Sequence, residues 1–209
     1  MPPFVVLHVC MGNICRSPMA ERLLAHSLRR RVAAAGWPVS AADLVHSHGA
    51  GTDGWHVGQA MNEPAARQLR DRGADPAGFA ARRLRGDQLD ASDLVLTATG
   101  AQAGQVRALR PDAADRTFVL GELGRLLPRV DTSLLPVSGP DAKLVYLRGV
   151  ALVAAVHALR ADAPPQPGDD LDDPYGLADD VFAGIADRIA AIVTPLAALL
   201  VPAADRAAA

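Results

Sequence analysis

Several marks of specialised proteins are missing from this chain. Its 209 residues hold only two cysteines, so a structural disulfide framework has little to build on. Lysine and arginine total 21 against 23 aspartates and glutamates, a net charge of −2 that gives no electrostatic reason to expect nucleic acid or an anionic membrane. No uninterrupted apolar run approaches the roughly 18–20 residues of a membrane span. The opening "MPPFVVLHVC" carries no basic leader and does not read as a signal peptide. Internal repeats and heptads are absent as well. With half the residues hydrophobic and 21% charged, the composition is that of one soluble globular domain spanning residues 1–209. Few cysteines and no leader together predict a reducing, cytoplasmic setting.

Strand-like and helix-like segments alternate along the chain. "FVVLHV" (4–9), "LVHSH" (44–48), "DLVLTA" (93–98) and "RTFVL" (116–120) read as strands. Ser17 offers a helix N-cap and Pro18 suits a first turn, ahead of an apolar face made by Ala20, Leu23, Leu24 and Leu28. Further helices are predicted near 62–72, 100–109, 121–127, 141–160 and 178–200, with Pro195 expected to kink or end the last. The stretch "ADAPPQPGDDLDD" (161–173) reads as a proline-rich surface loop, and 203–209 as a disordered tail. This alternation predicts an α/β fold: an open four-stranded parallel sheet with helices on both faces, flavodoxin-like.

Both cysteines fall in one short stretch, "VCMGNICRSP" (9–18). A disulfide, a metal pair, buried core thiols and a nucleophile all remain open on composition alone. The position narrows the choice. Ligands of such sheets bind beyond the carboxyl ends of the strands, and the first strand ends at Cys10. Gly12 and Asn13 both tolerate left-handed backbone, so the turn can aim successive N–H groups inward at an anion, helped by the helix that follows. Arg16 can curl a planar fork back over the sulfur, suited to two oxygens of a phosphate. Such surroundings favour a thiolate at Cys10, a nucleophile aimed at phosphorus.

The run Cys10-Met11-Gly12-Asn13-Ile14-Cys15-Arg16-Ser17-Pro18 resembles the phosphate-binding loop of the low-molecular-weight protein tyrosine phosphatases. "LDDPYG" (171–176) is similar to that family's acid loop, and "AGTDGWHVG" (50–58) to the segment in which an aromatic flanks the pocket. The likeness covers most of 4–120 and 171–200, and leaves about 128–170 as an inserted helix and loop. It implies hydrolysis of phosphate monoesters, foremost protein phosphotyrosine, through a cysteinyl-phosphate. Cys10 would be the nucleophile, with Arg16 and the amides of Met11, Gly12, Asn13, Ile14 and Cys15 holding the phosphate. Asp173 would be the general acid, with Asp172 as its neighbouring alternative. Ser17 would donate to the sulfur, Asn13 would hold the loop shape, and Trp55 and Tyr175 would wall the pocket. No cofactor or metal is implied, nor any nucleic-acid or membrane partner. The substrate would be a phosphorylated protein or a small phosphate ester.

Departures from the family pattern are visible. Gly49 stands where a buttressing serine is common, "TATGAQAG" lacks an acidic rim segment, and one aromatic rather than two follows Asp173-Pro174. His8, His46, His48 and His56 read as structural. Cys15 is either loop packing or a partner for oxidised Cys10 in a reversible disulfide. The alternative functions are an arsenate reductase of the same fold served by a small thiol, and a phosphatase of small molecules.

Overall fold

The computed structural model describes residues 1–202; the tail expected at 203–209 lies outside the described residues. The four apolar runs form β1 (Phe4–Cys10), β2 (Val45–Gly51), β3 (Leu94–Thr97) and β4 (Thr117–Val119). They make one sheet in the order β2-β1-β3-β4, with every neighbouring pair parallel. The chain leaves β1 for β2 on one side and later returns to β3 on the other. The order therefore reverses at the carboxyl end of β1, where a crevice opens. Cys10 is the last residue of that strand.

Eight helices connect and cover the strands: α1 (Arg16–Ala34), α2 (Ala41–Leu44), α3 (Glu63–Asp71), α4 (Gly86–Asp90), α5 (Gly100–Leu109), α6 (Leu120–Leu126), α7 (Ala142–Ala158) and α8 (Asp179–Leu200), counted among the described residues. Alternation along β1 sorts them onto two faces. Phe4, Val6 and Cys10 join a large core with residues of α1, α6, α7 and α8. Leu7 and Val9 face a smaller cluster with Leu89 of α4 and Val106 of α5.

Two expectations are corrected by the packing and a third is narrowed. Ser17 is not the N-cap of α1; Cys15 is, and Ser17 lies inside the first turn with its hydroxyl turned to Cys10. Of the two effects expected at Pro195, an end to the helix is excluded, since α8 continues to Leu200. The proline ring is exposed, while Ile189, Ile192 and Val193 before it and Leu196, Ala197 and Leu200 after it are all buried. Burial on both sides carries the helix through the missing hydrogen bond. The segment 161–173 is not all surface loop: Ala163, Asp169 and Leu171 are buried. Asp169 accepts two hydrogen bonds from Arg125, at 2.7 and 2.8 Å. The stretch Ala142–Asp162, which contains α7, and α8 itself are each long and apolar enough overall to cross a membrane, although Arg148 and His157 interrupt the first and Asp187 and Arg188 the second. The apolar face of α8 is used inside the core, from Phe182 to Leu200.

Between residues 128 and 170, α7 packs Val145, Leu152 and Val156 into the main core. A Cβ on Gly149 would meet the Phe4 ring at 2.5 Å, so glycine lets the helix close onto the sheet.

Candidate active site

The turn from Cys10 to Arg16 joins β1 to α1, and four of its carbonyls are engaged in backbone hydrogen bonds. Cys10 O accepts from Thr52 N–H, Met11 O from Asp53 N–H, Ile14 O from Asn62 N–H and Cys15 O from Met19 N–H. The N–H groups of Met11, Gly12, Asn13, Ile14 and Cys15 have no backbone partner among the described residues. Five donors are thus left available at the start of a 19-residue helix, the makings of a nest for a tetrahedral anion.

Asn13 makes this shape possible. It is the one non-glycine residue with positive φ among those described, at 53°, and it is fully buried. Its Oδ1 accepts from Arg82 N–H at 2.9 Å and its Nδ2 donates to Ser17 Oγ at 2.8 Å. Because Ser17 accepts there, its own O–H is free to donate to Cys10 Sγ, 3.0 Å away. The neighbouring strand end must come very close. A Cβ on Gly51 would lie 2.5 Å from Met11 O, so no other residue fits without moving the loop. Gly49 is equally constrained: a Cβ there would sit 2.9 Å from Asn13 Nδ2 and 3.1 Å from Glu21 Oε2. Where a serine side chain would stand, buried Glu21 sets its carboxyl against Gly49. Burial pushes that carboxyl above its usual range, opposed by Arg82 and Arg22.

Arg16 and the acid loop meet across the nest. Arg16 Nη1 donates to Leu171 O at 3.0 Å and Nη2 to Asp173 Oδ2 at 2.5 Å. Arg16 Nε is buried with no partner among the described residues, a donor left for a ligand. The loop itself is tied down from both ends. Leu171 N–H donates to Ala98 O beyond β3, and Asp170 Oδ1 accepts from Gly100 N–H at 2.8 Å. The glycine-containing turn that lacks an acidic segment of its own is therefore engaged by an aspartate from the acid loop. Asp173 Oδ1 accepts from Tyr175 N–H at 3.2 Å. Asp172 is exposed and makes no side-chain hydrogen bond among the described residues.

A cavity of about 290 Å³ opens above the nest, walled by Trp55, His56, Asp173 and Tyr175 with Cys10 and Arg16 below. Trp55 is 80% exposed and Tyr175 58%, so both stand at the rim rather than in the core. His56 belongs to the site and not to the scaffold, which corrects the structural reading made from sequence. Its ring lies against Gly12, where a Cβ would meet Cδ2 at 2.8 Å, and stands 6.2 Å from the Tyr175 ring. Gln59 Oε1 accepts from Nδ1 at 2.8 Å, leaving Nε2 available. Sequence reasoning also missed Glu21, Gly51, Arg82 and Leu171; only the approach of other segments to the turn reveals them. Among the described residues no group of three His, Cys, Asp or Glu is placed to hold a metal ion.

The two thiols differ in setting although both are buried and free. Burial, Cys10 and Asp173 push the Cys15 thiol up to about 12, with Arg16 opposing. Cys15 is thus a neutral filler at pH 7, whereas Cys10 faces the donors and an open cavity. A sulfur nucleophile, an anion nest, a guanidinium and a carboxyl group converge on one point, which is the equipment for phosphoryl transfer by way of a covalent enzyme intermediate.

Comparison with known proteins agrees with this geometry. Residues 5–140 match the family model described as low molecular weight phosphotyrosine protein phosphatase. The chain is 39% identical over 138 residues to low molecular weight protein-tyrosine phosphatase A of Mycobacterium bovis, covering 66% of this chain and 76% of that one. Among solved structures, YwlE arginine phosphatase from Geobacillus stearothermophilus superposes with a TM-score of 0.60 at 21% identity, over 93% of this chain and 91% of that one. Vibrio vulnificus Wzb in complex with benzylphosphonate also gives 0.60, at 17% identity, over 93% and 97%. At these identities the structural likeness is one of fold. The family match ends before the acid loop, so Asp173 rests on its placement beside Arg16.

Proposed function

This chain belongs to the low molecular weight phosphotyrosine protein phosphatase family and is a phosphatase; on that premise we propose that it hydrolyses protein phosphotyrosine with Cys10 as nucleophile and Asp173 as general acid. The observation that carries the reading is the nest itself: backbone amides left available and a free Arg16 Nε around the sulfur of Cys10. The three non-bridging oxygens of a phosphate monoester take those donors, which stabilise the charge they carry throughout transfer. Sγ attacks phosphorus as the ester P–O bond breaks, and Asp173 gives its proton to the departing oxygen. Water then attacks the cysteinyl-phosphate, Asp173 takes a proton from it, and inorganic phosphate leaves as the S–P bond breaks. Ser17 O–H, donated to sulfur, stabilises the thiolate in both steps.

The aromatic rim supports an aryl substrate. Trp55 and Tyr175 offer flat apolar walls to a phenyl ring lying above the nest. Because the nucleophile must stay reduced, the same reading includes a cytoplasmic location, to be checked by cell fractionation. Phosphate release from matched phosphotyrosine, phosphoserine and phosphoarginine peptides and from sugar phosphates tests the substrate class. Phosphotyrosine should lead in kcat/KM by at least about 100-fold, the scale of a shape-selective pocket. Equal or faster turnover of phosphoarginine or a sugar phosphate would overturn the assignment.

A further inference from the structure

A second cavity lies far from the catalytic nest, between the C-terminal half of α1 and the matching stretch of α8. Its volume is about 540 Å³, nearly twice that of the catalytic pocket and within the ~300–1,000 Å³ of small-ligand sites. Arg30, Arg31 and Arg72 line it, with apolar contributions from Leu23, Ala34 and Ala190. Ser27 Oγ and Thr194 Oγ1 also line it, 3.3 Å apart across the two helices. Fourteen residues of helix separate Arg16 from Arg30, about 21 Å at ~1.5 Å per residue.

The charge in this groove is unbalanced. Arg72 is neutralised by Asp187, through Nη2 at 2.5 Å and Nε at 3.2 Å. Arg31 donates Nε to the carbonyl of Val201. That bond fixes the guanidinium without cancelling its charge. Arg30 is exposed and has no side-chain partner among the described residues. Neither Arg30 nor Arg31 has a carboxylate partner among the described residues. His26 is also in the lining, held below its ordinary value chiefly by burial and further by Arg29 and Arg30.

From the cavity, two guanidinium groups with no carboxylate partner among the described residues, and the paired hydroxyls, we propose that this groove binds a small organic phosphate. Arg30 and Arg31 hold the phosphate oxygens, the hydroxyls of Ser27 and Thr194 complete the polar contacts, and Leu23, Ala34 and Ala190 receive the carbon body. The site is separate from the catalytic nest and does not depend on the proposed substrate.

Titration of the ¹⁵N-labelled protein with phenylphosphonate, which cannot be hydrolysed, distinguishes the two sites. Amide shifts should move in two groups, one at residues 10–16 and one at 23–34 with 190–194. Arg30→Glu and, separately, Thr194→Glu should weaken the second group by about tenfold or more, the loss expected for a charge-assisted hydrogen bond. The first group and p-nitrophenyl phosphate turnover should stay unchanged in both variants. Movement of residues 10–16 alone, or a second group indifferent to both substitutions, would overturn the proposal while leaving the catalytic reading intact. Loss of the first group in wild-type protein would instead count against the catalytic reading.

Discussion

Arg16 Nη2 and Asp173 Oδ2 are paired at 2.5 Å although 157 positions separate them in the chain. The guanidinium side chain is only 5% exposed while the carboxylate is 43% exposed. The guanidinium proposed to bind phosphate thus holds the carboxyl proposed to deliver the proton, and both line the pocket that contains Cys10. On the proposed mechanism, a phosphate dianion in the nest would compete with Asp173 for Arg16 and free the carboxyl to serve the leaving oxygen.

That placement predicts a leaving-group signature. Asp173→Asn should slow phenyl phosphate by about 10²-fold or more, the usual worth of a general acid, and activated aryl phosphates far less. Asp172→Asn should change neither. Steady-state kinetics over phenols of graded acidity decides it; a steeper dependence in the Asp172 variant would move the acid by one residue.

The unequal thiols predict selective chemistry. Cys15, pushed up to about 12, is protonated at pH 7 and should resist iodoacetate. Cys10 should be carboxymethylated first and protected by phosphate, and Cys10→Ser should bind phenylphosphonate with no turnover. After a mild peroxide pulse, wild-type activity should return with dithiothreitol as a Cys10–Cys15 disulfide opens, while Cys15→Ser should stay inactive. Because only the thiolate of Cys15 can close that disulfide, closure should quicken as pH rises. Intact mass reads the result: a loss of two hydrogens supports the disulfide, and a gain of oxygen in wild type excludes it.

Asn13 predicts a joint cost in stability and rate. Asn13→Ala forces alanine into φ near 53° and leaves Arg82 N–H and Ser17 without their partner. Left-handed backbone and lost buried hydrogen bonds together should cost about 2–4 kcal/mol, read from urea unfolding. The catalytic rate should fall with it, since the nest is then unsupported. Normal activity at reduced stability would separate loop shape from catalysis.

His8 predicts acid sensitivity. It is fully buried, and desolvation, helped by His48, lowers it to about 3. Ser47 donates its O–H to Glu21 O, so it accepts from His8 Nε2–H, leaving a buried Nδ1 with no partner. Above pH ~6.5 the imidazole is neutral whether folded or unfolded. Below that, the unfolded chain takes up the proton and the folded one does not. Stability should therefore fall as pH drops from about 6.5 toward 3, by about 1.4 kcal/mol per pH unit for this residue. His8→Gln should flatten the dependence of the urea midpoint on pH by about one proton. An unchanged slope would show that other groups dominate.

Local chemistry alone carried much of this protein. Apolar runs of four to seven residues separated by amphipathic stretches specify a parallel α/β sheet, because strand burial and helix periodicity are short-range patterns. The anion loop was legible for the same reason: Cys10, Gly12, Asn13 and Arg16 act within one turn, and their roles follow from their own stereochemistry. Tertiary structure decided whatever depends on distant segments meeting. Ser17 fits both a helix cap and a donor to sulfur by sequence, and the contacts of its hydroxyl with Asn13 and Cys10 decide for the second. The neighbourhood of Asp169 looked like surface loop until Arg125 buried its carboxylate. His56, Glu21 and Leu171 joined the site only because β2, α1 and the acid loop converge on the end of β1. No spacing rule encodes that convergence; it is set by the strand order and by the close approach that Gly49 and Gly51 permit.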